Sequence, residues 1–310
     1  MYRLIVPLDG SPRAEQALAL ALVLAPSLGG QLTLAQILNT PVIFDPLAGS
    51  MKKPAADYLE SIAARLPDSV VAETAVREGD PARELMALAE TSAETIIVMS
   101  THGRTGLGRL VFGSVADKVV RAGSVPVALV REPVRPARQL ERLLLPLDGS
   151  TLAEEPLALA LRLARRSGAT LHLVRVLSAG HGASVAAPDL ATVDASAPAS
   201  GMDGRHVDEA RGYLDQIAQH IRQRGLRATW EIRYGRAGEE IVRMAETIGA
   251  NLILMSTHGR GGIERWAFGS VTNEVLQGGK IPILVMPPRA VQAARGLESY
   301  LAREKGAAPA

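Results

Sequence analysis

The sequence contains no cysteine, few aromatic residues and no apolar stretch long enough to span a membrane. The missing cysteines exclude disulfides, thiolate catalysis and cysteine-ligated metals. Aromatic residues make up only 3% of the chain, so base-stacking surfaces for single-stranded nucleic acid are not expected. The longest apolar run, 17–26, is about half as long as a bilayer span. These absences predict a protein that binds neither nucleic acid nor membranes.

Charge of one sign is not concentrated anywhere. The 34 basic and 32 acidic residues are interspersed and give a net charge of +2, so the basic patch typical of nucleic-acid binding is absent. The first residues already have the pattern of a strand and show no signal-peptide cleavage site. We therefore predict a cytoplasmic protein.

One stretch of 16 residues occurs twice, and its copies agree at 11 positions. They read MSTHGRTGLGRLVFGS at 99–114 and MSTHGRGGIERWAFGS at 255–270. A shorter repeat, Pro-Leu-Asp-Gly-Ser, lies at 7–11 and 146–150. The repeats predict two domains, 1–133 and 141–288, joined by a linker at 134–140 and followed by a tail at 289–310.

The second half is longer than the first. The offset between the copies is 139 residues at Asp9 and Asp148 but 156 residues at His102 and His258, a difference of 17. We place the additional residues between 178 and 204, a stretch rich in Ala, Ser, Gly and Pro that we expect to be mobile.

Short apolar segments alternate with helix-like segments throughout both halves. This pattern predicts an α/β fold with two doubly wound domains, each a five-stranded parallel sheet flanked by helices. Ser11 and Asp80 are expected to cap helices that begin at the prolines after them. The proline-containing stretch 39–56 is expected to be a loop before a helix near 57–65, and 289–304 an amphipathic helix.

The long repeat has the pattern of a phosphate-binding loop. Each copy follows a buried-strand pattern and leads into a helix, where backbone N–H groups and the helix dipole attract anions. Each copy also carries two arginines, Arg104 and Arg109 in the first and Arg260 and Arg265 in the second. The alternative is that the glycines only supply turns with positive φ and that the serines only cap helices.

Asp9 and Asp148 directly follow the first strand of each half. In a doubly wound sheet this strand should be central, and ligands bind at the carboxyl ends of such strands. A carboxylate there can accept hydrogen bonds from ribose hydroxyls, or it can merely close an Asx turn. Ile37 and Val176 end the second strands and would form the floor of a slot for the base, or they are core residues.

Both halves resemble the universal stress protein family. Its nucleotide-binding members carry G-x2-G-x9-G-[S/T], which is matched by Gly103, Gly113 and Ser114 and again in the second half by Gly259, Gly269 and Ser270. Ser100 and Ser256 stand where the family has its leading glycine. The resemblance covers nearly the whole chain and includes the aspartate after the first strand.

The resemblance implies an adenine-nucleotide site in each half, with ATP as the cofactor, and Mg²⁺ is a possible companion ion. Aspartate and the residue at the end of the second strand would hold ribose and adenine, and the glycines and serine the phosphates. The candidate binding residues are Pro7, Asp9, Ile37, Ser100, Gly103, Arg104, Gly106, Arg109, Gly113 and Ser114, and Pro146, Asp148, Val176, Ser256, Gly259, Arg260, Gly262, Gly269 and Ser270.

The resemblance also implies how the halves assemble. Members of the family pair through their fifth strands, so we expect the segments Val125–Val130 and Ile281–Met286 to meet and make the chain a pseudo-dimer. Both segments are apolar and would otherwise be exposed edges. A homodimer of whole chains is possible, and the sequence identifies no protein partner.

Catalysis has less support in the sequence than binding. The motif G-x4-G-K-[S/T] is absent, and with it the lysine that neutralises phosphate charge in many ATPases. His102 and His258 have no neighbour at metal-ligand spacing and are expected to serve turns or hydrogen bonds. We predict a regulatory protein rather than an enzyme. The alternatives are a nucleotide-independent interaction scaffold and a slow ATP hydrolase or nucleotidyltransferase.

Overall fold

The fold is known from a computed structural model, which describes residues 1–39, 48–92, 94–101, 113–131, 139–178, 204–257 and 269–286. The first half contains β1 (Arg3–Pro7), α1 (Pro12–Leu28), β2 (Gln31–Leu38), α2 (Ala48–Ala63), β3 (Ala72–Glu78), α3 (Pro81–Ala89), β4 (Thr95–Ser100), α4 (Ser114–Ala122) and β5 (Val127–Val130). The second contains β6 (Arg142–Pro146), α5 (Thr151–Glu154), α6 (Pro156–Ser167), β7 (Thr170–Leu177), α7 (Gly204–Arg222), β8 (Ala228–Tyr234), α8 (Ala237–Ile248), β9 (Leu252–Ser256), α9 (Ser270–Gly278) and β10 (Ile283–Met286).

All ten strands form one sheet in the order β3-β2-β1-β4-β5-β10-β9-β6-β7-β8. Neighbours within each half are parallel. The predicted fold class, two doubly wound domains with five parallel strands each, is confirmed. Strand order reverses between β1 and β4 in one half and between β6 and β9 in the other. Those two switch points are where a doubly wound sheet opens a crevice for a ligand.

The halves join through their fifth strands, as the family resemblance implied. β5 and β10 are antiparallel, with Leu129 opposite Ile283 and Val127 opposite Val285. Every residue of both strands is buried, so the pairing removes two apolar edges from solvent. The strands left at the outer edges, β3 and β8, carry charged side chains and are largely solvent-accessible.

Alternation along the strands divides the core into two layers. In β1, Leu4 and Val6 belong to the layer under α1, α2, α6 and α7, whereas Ile5 belongs to the layer under α3, α4, α8 and α9. Both layers run continuously through the two halves. The central strands are apolar on both faces because helices cover both faces.

Helix starts follow local signals, as expected. The Ser11 hydroxyl accepts a hydrogen bond from the Ala14 N–H, and the Asp80 carboxylate accepts one from the Arg83 N–H. α1 ends at Leu28, and its C-cap Gly29 has a φ of 60°. The corresponding helix of the second half is interrupted, with α5 ending before Glu155 and α6 beginning at Pro156.

The prediction that residues 39–56 form a loop is wrong from residue 48 onward. α2 begins at Ala48 and contains Pro54. Ala55, Leu59 and Ile62 share one face of this helix and are at most 4% exposed. Burial of that face outweighs the local cost of proline in a helix. The predicted insertion between 178 and 204 and the tail helix at 289–304 lie outside the described residues.

An ion pair joins the last two helices of each half, with its charges exchanged between halves. In the first half, Lys118 of α4 lies 3.0 Å from Asp80, the N-cap of α3. The equivalent residues of the second half are Glu274 of α9 and Arg236, the N-cap of α8, whose charged atoms are 3.4 Å apart. The N-cap residue is therefore the acid of the ion pair in the first half and the base of the ion pair in the second.

Candidate functional site

The candidate sites lie at the two switch points, at the carboxyl ends of β1 and β4 and of β6 and β9. The described residues include, for the first half, Pro7, Asp9, Ile37, Ser100, Gly113 and Ser114, and for the second, Pro146, Asp148, Val176, Ser256, Gly269 and Ser270. The other candidates lie outside the described residues, namely Gly103, Arg104, Gly106, Arg109, Gly259, Arg260 and Gly262, together with His102, His258 and Arg265.

Backbone hydrogen bonds close the base of the glycine-rich loop in each half. The Gly113 N–H donates to the Thr101 carbonyl at 2.7 Å, and the Gly269 N–H donates to the Thr257 carbonyl at 2.6 Å. Both threonines are almost fully buried and were not singled out from the sequence, although the repeat contains them. The residue before the loop and the residue after it are therefore held in contact beside the switch point.

Gly113 and Gly269 are N-caps with ordinary extended backbone angles. Their φ values are −59° and −60°, and neither cap is made by a side chain. The alternative that these two glycines supply positive φ is therefore wrong. What glycine contributes at both positions is the absence of a side chain where the helix begins.

Ser114 and Ser270 are the first residues of α4 and α9, not their caps. Both serines are exposed, so their hydroxyls lie at the surface beside the first N–H groups of the helix. The alternative that they cap these helices is also wrong. An uncapped helix start next to an exposed hydroxyl can donate several hydrogen bonds to an anion.

Asp9 and Asp148 each close an Asx turn, as one of the two sequence-based interpretations expected. Oδ1 of Asp9 accepts a hydrogen bond from the Ser11 N–H at 2.9 Å, and Oδ1 of Asp148 accepts one from the Ser150 N–H at 2.8 Å. Both aspartates are partly exposed. The turn orients one carboxylate oxygen of each aspartate and places it after the central strand.

A partly buried tyrosine–glutamate pair lies near each aspartate. Tyr58 of α2 donates to Glu15 of α1 at 3.0 Å, and Tyr213 of α7 donates to Glu154 of α5 at 2.8 Å. Burial, the bond to glutamate and the nearby aspartate charge all raise the pKa of each phenol, so both tyrosines stay protonated at neutral pH. The pairs join α2 to α1 in the first half and α7 to α5 in the second.

Sequence reasoning missed these pairs. The spacing from aspartate to glutamate is the same in both halves, and a tyrosine follows in each, but the contact joins residues far apart in the chain. An aligned repeat of Asp, Glu and Tyr was the available signal.

Ile37 and Val176 have the core contacts that their alternative interpretation expected. Both are partly buried and pack against the layer under α3, α4, α8 and α9. Ser100 ends β4 opposite Val130, and the Ser256 carbonyl accepts a hydrogen bond from the Thr272 hydroxyl at 3.0 Å. Pro7 and Pro146 end the central strands opposite Ala35 and Val174.

Metal ligands and membrane spans were also searched for in the residues that the structure describes. There, no three His, Asp or Glu side chains are grouped as a metal site would require. No helix in the same residues combines the length and the apolar character of a membrane span.

Comparison with known proteins agrees with this architecture. A universal stress protein of Mycobacterium tuberculosis is 27% identical over 192 residues, which span 61% of each chain. One of Methanocaldococcus jannaschii is 29% identical over 140 residues, covering 42% of this chain and 82% of its own. The crystal structure of a universal stress protein from Archaeoglobus fulgidus has a TM-score of 0.71 at 21% identity, over 93% of this chain and 98% of that one.

The match to the mycobacterial relative leaves more than a third of that protein's length uncovered. The sequence model of the universal stress protein family covers more of the chain. It matches residues 1–131 and again residues 139–287. The two matches correspond to the two halves of the sheet. The chain therefore belongs to the universal stress protein family, with two copies of the family domain in tandem.

Proposed function

We propose that this protein binds ATP or a related adenine nucleotide at the switch point of each half and acts in regulation rather than in metabolism. One observation carries the proposal. In both halves a helix begins at a glycine whose backbone angles would suit any residue, and among the described residues no side chain caps the helix. A helix start whose N-cap carries no side chain offers its N–H groups and its dipole to an anion such as phosphate.

The remaining groups have the chemistry that a nucleotide needs. Asp9 and Asp148 would accept hydrogen bonds from ribose hydroxyls, and Ile37 and Val176 would contact the base. Ser114 and Ser270 would donate to phosphate, together with the loop residues that lie outside the described part of the chain. Mg²⁺ would enter with the phosphates.

Regulation is proposed because the candidate residues would bind a nucleotide but include no evident catalytic group. The family is one of stress-response proteins. Its members' role and the sequence pattern support a cytoplasmic protein that responds to stress, and both statements remain proposals for this chain. The interaction scaffold is the second candidate, and the Asx turns favour it, because they give the aspartates a role without any ligand.

The nucleotide content of the purified protein tests these alternatives. Protein isolated from cells is denatured, and the released small molecules are identified by chromatography; adenine nucleotide is expected at up to two molecules per chain. Release of intact ATP contradicts fast hydrolysis, whereas release of ADP alone supports the hydrolase. If nothing is released and calorimetry with added ATP shows no heat of binding, the nucleotide proposal fails and the scaffold stands.

A further inference from the structure

Arg175 distinguishes the second site from the first. It lies in β7, and its Nη1 atom is 3.3 Å from where a Cβ on Gly149 would be, directly after Asp148. In the first half, Gly10 follows Asp9 with the same φ of 82°, yet no described atom lies within 4 Å of its Cβ position. The residue equivalent to Arg175 is Gln36, which carries no charge. Within the described ranges, a guanidinium therefore lies against the glycine after Asp148 and none lies against the glycine after Asp9. In the first half Arg65, which acts on Tyr58, is instead paired with Glu15 at 3.7 Å.

The guanidinium of Arg175 is held in place by an aromatic ring, not by an acid. Its Cζ atom is 5.5 Å from the centroid of the Tyr213 ring. Among the described residues, no carboxylate lies within ion-pair distance of Arg175 and none accepts its N–H groups. Tyr213 is itself fixed by its bond to Glu154. A guanidinium positioned by stacking keeps the edges of its plane available for hydrogen bonds.

The partner that suits this geometry is a phosphate group. A carboxylate alone recognises free ribose hydroxyls, whereas an arginine beside that position accommodates a phosphate on the ribose. Guanidinium and phosphate match in charge and in the spacing of donors and acceptors. Gln36 has neither the positive charge nor the paired N–H donors of a guanidinium.

We propose that the second site selects an adenine nucleotide that carries an additional phosphate on a ribose hydroxyl, and that the first site does not. This inference rests on the proposed nucleotide binding. It names a ligand class, the ribose-phosphorylated nucleotides, for one half of the molecule. Arg175 is the residue that sets the difference, and Tyr213 positions it.

The full chain with Gly113→Val, which blocks the first site, tests the proposal by calorimetry. Adenosine 5′-monophosphate is compared with the 2′,5′-bisphosphate and the 3′,5′-bisphosphate, which show which hydroxyl carries the phosphate. At least one bisphosphate should bind about tenfold more tightly than the monophosphate, as one charge-assisted contact provides. Arg175→Gln should abolish this preference.

A reciprocal pair supplies the control. In a chain with Gly269→Val, which blocks the second site, the first site should show no preference until Gln36→Arg introduces one. Equal affinities for all three ligands in the Arg175 chain, or a preference that survives Arg175→Gln, would overturn the inference while leaving nucleotide binding intact. If circular dichroism shows that the Arg175→Gln chain is unfolded, the effect of Gln36→Arg on the first site decides whether the inference holds. Absence of binding by any adenine nucleotide to the unaltered chain would instead refute the proposed function.

Discussion

At the scale of single residues, the glycines before α4 and α9 are informative because their backbone angles suit any amino acid. Gly113 has φ and ψ of −59° and 140°, and Gly269 has −60° and 159°. These are angles that β-branched residues adopt readily. A side chain can therefore be added at either position without backbone strain, which separates the effect on a ligand from the effect on the fold.

We expect Gly113→Val to remove ATP binding from the first half while leaving the chain folded. The side chain would occupy the space at the helix start and displace the phosphate from the N–H groups. The cost in binding free energy is on the order of 2 kcal/mol or more, measured by calorimetry. Gly269→Val is the matched control and should affect only the second half. An unchanged affinity and stoichiometry in both variants would show that the loop is structural.

At the scale of elements, local signals predicted most strands and helix starts. The apolar strands and the caps Ser11 and Asp80 could be read from the sequence because each depends on neighbouring residues. α2 could not, since its stability comes from burial of one face, which outweighs Pro54. In the site, Asp9 and Gly113 were found through the repeat. The Tyr58–Glu15 bond and the position of Arg175 depend on contacts between distant segments, which no local pattern reveals.

The break between α5 and α6 places a carboxyl group in the core. Glu155 is only 7% exposed, and its Oε2 atom has no hydrogen-bond partner among the described residues. Burial, with a smaller effect from the Glu154 carboxylate, raises the pKa of Glu155 to about 7. Because the folded state holds this proton more tightly than the unfolded chain does, stability should fall as pH rises from about 4.5 to about 7.

Glu155→Gln should remove this pH dependence. Above pH 7 the variant should be more stable than the original chain, by at most about 3 kcal/mol and less if the buried amide is left unpaired. Urea unfolding at pH 5 and pH 8 measures the difference. The first half has Gln16 at the equivalent position, in the unbroken α1 and only partly buried, so Gln16→Glu should add a smaller dependence. Identical pH profiles for the original chain and Glu155→Gln would contradict the assignment.

At the scale of the whole molecule, the joint between β5 and β10 completes both halves. Separately expressed fragments, 1–135 and 138–310, would each expose one of these fully buried strands. We expect each fragment to form a dimer by pairing that strand with its own copy. Sedimentation velocity measures the mass; a monomeric fragment of either half would contradict the expectation.

The two sites should also differ in affinity for ATP, with the first half tighter. Glu264 stands where the first half has Gly108; both residues lie outside the described part of the chain. A carboxylate about 6 to 8 Å from a phosphate, at an effective dielectric constant near 20, costs on the order of 2 kcal/mol per charge pair before screening. If Glu264 instead faces solvent or pairs with Arg260, the difference disappears.

Tryptophan fluorescence can follow the second site alone. Trp230 lies in β8, and the other tryptophan, Trp266, belongs to the second loop repeat. In a Trp230→Phe chain, ATP should therefore change the emission only when the second site fills, and Glu264→Gly should strengthen that binding. Equal affinities of the two sites in calorimetry, with no gain in Glu264→Gly, would count against the asymmetry.

The exchanged charges of the Asp80–Lys118 and Arg236–Glu274 pairs bear on how a chain with two similar halves avoids misassembly. Tandem repeats can fold incorrectly when an element of one copy takes the place of its counterpart in the other. If α9 docked beside α3, Glu274 would face Asp80, and if α4 docked beside α8, Lys118 would face Arg236. Both exchanged arrangements bring like charges together, whereas both native arrangements pair opposite charges. The pairs, each weak at the surface, thus favour correct over swapped assembly during folding.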